Sequence, residues 1–190
     1  ERYGKLAQRL ISWLNTMTSG GVLYETDLRL RPDGDSGRLV CSLDAFRDYQ
    51  LKRAWTWEHQ ALTRARFFAG DAALAAPFEA IRRAVLSASR DRAALREEIV
   101  AMREKMRTEK KDRADAIDLK HTRGGMVDVE FIVQFLILAY AHEHPEFLGN
   151  LGYEDLVCIV SRATEGSRYG SCSDAANWVC GYCSKPCVSN

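Results

Sequence analysis

Four charged residues at alternate positions are the first in the sequence whose types and spacing could do chemistry. Glu25, Asp27, Arg29 and Arg31 lie in the segment 21–37, GVLYETDLRLRPDGDSG, and on a pleated strand they would share one face. A carboxylate such as Asp27 could supply an oxygen ligand to a divalent cation, while Arg29 or Arg31 could neutralise a phosphate group. Together these are parts of a site for phosphoryl or nucleotidyl transfer.

The same pattern is also typical of a solvent-facing sheet edge. Charged side chains are mostly exposed, and pairs across neighbouring strands contribute only about 0.2–1 kcal/mol each. A two-metal site would need further carboxylates close to Asp27. Asp33 and Asp35 follow in the turn, but the sequence does not place their side chains. Spacing alone leaves the catalytic and the structural interpretation open.

Lys120 is a candidate anion ligand in a second region. It precedes His-Thr-Arg-Gly-Gly at the entry to an apolar helix, where backbone N–H groups favour negative charge. Asp128 and Glu130 enter the first turn of that helix, a position that favours acids for structural reasons alone. Glu58 and His59 could act as an acid–base pair, although a mid-helix pair without a third partner is more typical of a polar helix edge.

A predicted hairpin positions the charged segment. Apolar residues alternate with polar ones from 22 to 31, which predicts a strand that Pro32 ends. Turn-forming residues fill 33–37, and 38–41 is predicted to return as a short antiparallel strand. An amphipathic helix is predicted before the hairpin, over residues 2–17.

Helices are predicted for most of the remaining chain. Ser42 is expected to cap a helix that runs to Phe68 with a break near Arg53. A further helix is expected over 72–88, with Pro77 at its start or at a kink. The next helix has a narrow apolar stripe and charged remaining faces, and it is expected at the surface; the stripe is Leu95, Ile99, Met102 and Met106.

The segment 126–140 is too apolar for a one-sided helix, so a buried helix is predicted there, entered through Gly124 and Gly125. After about residue 150 the helical periodicity fades. Five of the six cysteines follow Leu156, but Cys180, Cys183 and Cys187 lack the second pair that a zinc site would need. The segment 151–190 is therefore treated as an atypical Cys-rich tail, for which we expect poor packing or disorder.

Composition narrows the class of protein. The 190 residues are 46% hydrophobic and 28% charged, as in globular domains, and no apolar run is long enough to span a bilayer. The net charge of +1 gives no general attraction to nucleic acid. No secretory signal is evident at the start, so we expect a cytoplasmic protein with neither membrane nor nucleic-acid partners.

Several motifs, in order and spacing, resemble the glutamine synthetase adenylyltransferase family over roughly residues 1–150. They are LYETDLRLRPDGDSGRLVCSLDAFRDYQ, AWTWEHQALTRARFFAGD, EEIVAMREKMR and DLKHTRGGMVDVEFIVQFLILAYAHE. AWTWEHQAL is more similar to the adenylylating, C-terminal half of that bifunctional enzyme than to its deadenylylating half.

The resemblance implies an α+β fold, in which the remnant of a nucleotidyltransferase sheet like that of DNA polymerase beta precedes a helical bundle. Residues 1–53 would close the nucleotidyltransferase domain and 54–150 would form the bundle. Asp27 matches the third catalytic aspartate of that superfamily and would bind Mg²⁺. Arg29, Arg31 and Lys120 would bind ATP, and AMP would pass to a tyrosine of glutamine synthetase with release of pyrophosphate.

The sequence also departs from the family pattern. No Gly-Ser-x-x-x-Asp-x-Asp element precedes the first helix, so we expect that Glu1 begins partway through the catalytic unit. Such a fragment should have little or no activity alone. The alternative hypothesis is a noncatalytic helical module that binds glutamine synthetase or a PII signalling protein through residues 54–150.

Overall fold

The computed structural model describes residues 2–22, 24, 26–28, 31–109 and 118–149. This part of the chain is mostly helical, with one two-stranded antiparallel sheet, and it belongs to the α+β class. The predicted Cys-rich tail lies outside the described residues. None of the described helices combines the length and apolar character needed to cross a membrane.

The N-terminal region is a helix followed by a very short hairpin. Helix α1 spans Arg2–Asn15, strand β1 spans Met17–Thr18 and strand β2 spans Gly21–Val22. Met17 pairs with Val22, and Gly21 enters the second strand at a positive φ of 100°, which favours glycine. The prediction of the first helix is confirmed within two residues of its end.

The predicted long hairpin between 22–31 and 38–41 is wrong for the described residues of those segments. Tyr24 and residues 26–28 have no strand assignment, and neither do residues 38–41. Alternation predicts a strand only where a second strand supplies hydrogen bonds, and here the Arg31 side chain satisfies the Leu28 carbonyl instead. Pairing is limited to β1 and β2 because the Ser-Gly-Gly turn lies between them.

Helix α2 spans Leu43–Lys52 and helix α3 spans Thr56–Leu62. The predicted cap is confirmed, since the Ser42 hydroxyl accepts from the Ala45 N–H at 3.2 Å. The predicted break near Arg53 is confirmed as well, since this residue ends α2.

Helix α3 ends at Leu62 rather than continuing to Phe68 as predicted. The buried guanidinium of Arg82 accounts for this end, because it bonds the Leu62 and Thr63 carbonyls at 3.0 Å each. A continuing helix would use those carbonyls as acceptors for its own later N–H groups.

The last three helices follow the predicted pattern closely. Helix α4 spans Ala75–Leu86 with Pro77 in its first turn, α5 spans Arg92–Glu109, and α6 spans Met126–Tyr140. Gly125 caps α6 in an extended conformation. Short 3-10 helices lie before α4 and after α6.

The core lies among α3, α4, α5 and α6. Its most buried apolar side chains come from three of these helices and are Val85, Leu86, Ile99 and Leu138. Ile99 belongs to the predicted stripe of α5, and α6 is buried on most sides as predicted. Helix α1, in contrast, contributes no buried residue.

Candidate functional site

Asp27 is exposed, on a segment whose backbone is tied to the end of α1. The Tyr24 N–H donates to the Leu14 carbonyl at 3.1 Å, and the Thr26 N–H donates to Asn15 Oδ1 at 3.0 Å. These bonds fix the chain immediately before the carboxylate. Asp27 is therefore open to solvent and held at a defined place, as an oxygen ligand must be.

Arg31 lies four residues after Asp27, and its side chain is hydrogen-bonded to the backbone. Its Nη1 donates to the Leu28 carbonyl at 2.6 Å, and its Nε reaches the Gly37 carbonyl at 3.4 Å. The guanidinium thereby closes the turn and positions the segment that carries Asp27. Arg29 and Glu25, predicted on the same face, lie outside the described residues.

The turn after this segment packs toward the end of α2. Asp33 adopts a left-handed conformation at φ 61°, and its carboxylate lies 3.6 Å from the Arg53 guanidinium. The side chain of Asp35 is outside the part that the structure describes. Because its carboxylate pairs with Arg53, Asp33 has a structural role and is a poor candidate for a second metal ligand.

The described residues do not form a complete metal site. No group of three His, Cys, Asp or Glu side chains in this part of the chain could hold an ion. Asp27 has the right chemistry to supply one oxygen ligand to Mg²⁺, but the described carboxylates around it do not complete the coordination.

Lys120 lies in the turn before α6, where its backbone is fixed and its side chain is exposed. Its N–H donates to Asp118 Oδ1 at 3.0 Å, and its carbonyl accepts from the Val127 N–H at 3.0 Å. A hydrogen bond from His121 lowers the pKa of Asp118. No contact among the described residues joins Lys120 to Asp27, so the two predicted ligands are not brought together.

Asp128 is buried in an ion pair rather than being only an exposed helix-start acid. Its Oδ1 accepts from Arg103 Nε at 2.5 Å, and its Oδ2 accepts from the Gly124 N–H at 2.6 Å. Arg103 also donates to the His121 carbonyl at 2.8 Å. The pair ties α5 to the entry of α6, which is a structural role.

Glu58 is held by two partners in a buried polar network that sequence reasoning did not find. Its carboxylate accepts from the Tyr49 hydroxyl at 2.9 Å and from the Trp55 N–H at 2.8 Å. Burial, followed by smaller effects that include the Glu58 carboxylate, raises the pKa of Tyr49. The sequence feature that could have indicated the network is Tyr49, a hydroxyl donor on α2 nine residues before Glu58.

His59 is held next to this network with both ring nitrogens engaged. Its Nε2 lies 2.9 Å from the Gln50 carbonyl, and its Nδ1 lies 3.5 Å from Arg90 Nη2. Nε2 must donate and Nδ1 must accept, which is the pattern of a neutral ring. Burial, with the Arg90 charge, lowers the pKa of His59. Glu58 and His59 thus join α2, α3 and the connection between α4 and α5.

Comparison with known proteins points to one family. Residues 1–81 match the sequence model of the glutamate–ammonia ligase adenylyltransferase family. Over 152 residues, 80% of the chain, it is 57% identical to a bifunctional glutamine synthetase adenylyltransferase/adenylyl-removing enzyme of Aromatoleum aromaticum. Proteins of the same description from Bordetella bronchiseptica and Chromobacterium violaceum are 53% and 52% identical over 86% and 85% of the chain.

The matched region is a small part of these relatives. It covers 16%, 17% and 18% of their respective lengths, so the chain spans about a sixth of the proteins it matches. A match to 86% of 190 residues necessarily reaches beyond residue 160. In this match the similarity therefore continues past the region of roughly residues 1–150 over which the sequence motifs resemble the family.

Proposed function

Because this chain belongs to the glutamate–ammonia ligase adenylyltransferase family, we propose that it is part of an enzyme that transfers an adenylyl group from ATP to glutamine synthetase. The acceptor would be a tyrosine hydroxyl, and the transfer would regulate nitrogen assimilation. The observation that carries the proposal is the 57% identity to a relative of that description. The exposed, backbone-anchored Asp27 gives the proposal a testable residue.

Residues 1–53 would belong to a nucleotidyltransferase unit like that of DNA polymerase beta, and 54–150 to the helical bundle that follows it. The division falls at the break between α2 and α3. In a longer polypeptide, Asp27 would be one carboxylate ligand of Mg²⁺, and other segments would supply the remaining ligands. Similarity of AWTWEHQAL to the adenylylating half supports a place in that half.

The basic residues would act on the triphosphate. Bound Mg²⁺ supplies charge neutralisation, which is usually the largest contribution in phosphoryl-group chemistry. Arg29 and Lys120 would add positive charge at the phosphates. Arg31 would contribute mainly by holding the Asp27 segment, because its guanidinium already bonds the Leu28 carbonyl.

Calorimetric titration of the 190-residue chain with ATP and Mg²⁺ tests the role of Asp27. We expect weak binding that Asp27→Asn abolishes. The matched control is Asp44→Asn, which removes the same charge from an exposed carboxylate on α2 whose ion pair in the described part of the chain is with Arg47, at 3.1 Å. Equal ATP affinity of the two variants would show that Asp27 is not part of the ATP site.

Radiolabelled adenylylation of glutamine synthetase tests the activity itself. The chain alone is expected to show little turnover, since Asp27 is one carboxylate where the chemistry needs several. A longer polypeptide that contains this sequence should be active and should lose activity on Asp27→Asn. Robust turnover by the 190 residues would contradict the expected incompleteness of the site.

The partners of the proposed enzyme are glutamine synthetase and a PII signalling protein, in the cytoplasm. The alternative function, a noncatalytic helical module that binds these partners, makes a different prediction. It requires partner binding by residues 54–150 without ATP binding at Asp27. Calorimetry with glutamine synthetase and with Mg²⁺-ATP separates the two functions.

A further inference from the structure

A cavity of about 430 Å³ lies between the first turn of α3 and one face of α5. This volume is within the range of small-molecule sites, about 300–1,000 Å³. Its walls include the side chains of Trp55, Trp57 and Met102. The residues that line it include neither Asp27 nor the other residues of the proposed transfer site.

The apolar wall is unusual because a large aromatic side chain on it stays open to solvent. Trp55 is 70% exposed, although its backbone is held by the Glu58 carboxylate. An indole offers a broad polarisable face, and Trp is enriched where proteins bind partners or ligands. Together with Trp57 and Met102, it forms a surface suited to a planar ring.

The polar groups of the cavity restrict what such a ring could be. Gln60 is only 3% exposed, and its amide nitrogen donates to Gln134 Oε1 at 2.9 Å. The same amide carries a carbonyl oxygen, and Gln60 lines the cavity, so this oxygen can accept a hydrogen bond there. A ring with an N–H or an amino group is the kind of ligand that such an acceptor favours.

Two charged side chains lie at the ends of the cavity on α5. Glu98 accepts a hydrogen bond from the Thr56 hydroxyl at one end. Lys105 lies seven residues later, about 10 Å along the helix. In the part of the chain that the structure describes, no ion pair holds its ammonium group. Lys105 is therefore available to an anion.

We propose that this cavity binds a planar nitrogen heterocycle with an anionic substituent, of the nucleoside monophosphate class. The ring lies against the indoles, an N–H of the ring or its amino group donates to the Gln60 carbonyl, and the anion pairs with Lys105. The site does not depend on the proposed adenylyl transfer, because it uses neither Asp27 nor a metal ion.

Calorimetry with AMP in the absence of Mg²⁺ tests the site in the 190-residue chain. AMP should bind in a saturable manner, adenosine about tenfold more weakly, as expected for the loss of one charge-assisted contact, and inorganic phosphate not measurably. Lys105→Ala should reduce AMP affinity to that of adenosine. Lys52→Ala, which removes an exposed lysine of α2, should leave AMP affinity unchanged.

NMR of the indole N–H groups gives a second readout that locates the ligand. AMP should shift the Trp55 and Trp57 signals and leave the signal of Trp13, on α1, in place. Asp27→Asn should keep AMP binding even if it abolishes Mg²⁺-ATP binding, which separates this proposal from the proposed function. Absence of saturable AMP binding, or equal AMP affinity in Lys105→Ala and Lys52→Ala, would overturn the proposal.

Discussion

The guanidinium of Arg103 on α5 donates to the carboxylate of Asp128 on α6 at 2.5 Å, and both side chains are almost fully buried. Each also binds backbone of the connection between the helices, through the His121 carbonyl and the Gly124 N–H. Two buried charges therefore hold the start of α6 against α5. Burying either charge without the other would cost free energy. The pair therefore favours the arrangement in which the start of α6 lies against α5.

Removing Arg103 should destabilise the fold strongly. Arg103→Met leaves Asp128 as an uncompensated buried charge, and breaking such pairs costs about 3–5 kcal/mol. The measurement is the free energy of unfolding in urea. Arg107→Met is the control, because its ion pair with Glu104 is partly exposed and should contribute at most about 1 kcal/mol.

A double variant checks whether the lost charge is the cause. Asp128→Asn removes the buried charge but keeps an acceptor for the Gly124 N–H. The Arg103→Met/Asp128→Asn protein should then be more stable than Arg103→Met alone. A double variant that is less stable than the single one would show that packing, not charge, explains the effect.

Tyr49 should matter through its hydroxyl group. Tyr49→Phe keeps the ring but removes the donor to Glu58, and hydrogen bonds to charged groups contribute about 1.5–3 kcal/mol. Tyr3→Phe removes a hydroxyl from a side chain that is 73% exposed and should have little effect. Urea unfolding of the three proteins measures the difference, and equal stability would exclude an important Tyr49–Glu58 bond.

The same hydroxyl should make stability sensitive to alkali. The folded pKa of Tyr49 is raised, first by burial, so its contribution is complete below the unfolded value near 10. It is lost as the pH rises from there through the higher folded pKa. Unfolding free energies measured from pH 8 to 11 should fall more steeply for the parent chain than for Tyr49→Phe.

Helix positions were more predictable from sequence than the contacts of charged residues. The bounds of α6, 126–140, were predicted correctly from the apolar run. A buried helix is apolar on all sides, so its composition alone marks where it begins and ends. The α3 end at Leu62 depends on Arg82, which lies twenty residues later and cannot be foreseen from local periodicity. The prediction of a strand over 22–31 was wrong for a related reason. A strand needs a second strand to pair with, and the alternation of apolar and polar residues does not show whether one is present.

In the candidate site, too, the contacts of charged side chains were not predictable from the sequence. The metal-binding role of Asp27 stays a prediction, and the structure adds that the residue is exposed. The hydrogen bonds from Arg31 to the Leu28 and Gly37 carbonyls were not predicted. Every residue has a backbone carbonyl, so the sequence does not indicate which one a side chain will bind. The same holds for Asp128, whose position in the first turn suggested only a favourable helix-start charge until Arg103 was placed against it.

His59 should make the fold sensitive to acid. Its folded pKa is lowered, first by burial and also by the Arg90 charge, while the hydrogen bond to the Gln50 carbonyl and the Glu58 charge oppose this to a smaller extent. The contribution is therefore intact above the unfolded value near 6.5. It declines as the pH falls below that value toward the lower folded pKa, because the unfolded chain binds the proton first.

The acid effect can be assigned with two histidine variants. His59→Gln carries no titrating ring, so the drop in unfolding free energy between pH 7 and 5 should become smaller. His144→Gln changes a partly exposed histidine near the end of the described chain and should retain the parent's drop. Identical pH profiles for His59→Gln and the parent chain would disprove the role of this ring.

Gly125 and Gly4 should respond in opposite directions to alanine. A Cβ at Gly125 would lie 2.6 Å from the Leu119 carbonyl oxygen and 2.8 Å from that of Thr122, and both are backbone atoms of the α6 entry. The backbone would have to shift, and the 2.8 Å bond from the Gly125 N–H to the Thr122 carbonyl would be strained. A Cβ at Gly4, inside α1, meets nothing within 4 Å. Gly4→Ala should therefore stabilise the helix by up to about 1 kcal/mol, while Gly125→Ala should lower the midpoint of thermal unfolding. A stabilising Gly125→Ala would show that the close approach of the α6 entry is not required for folding.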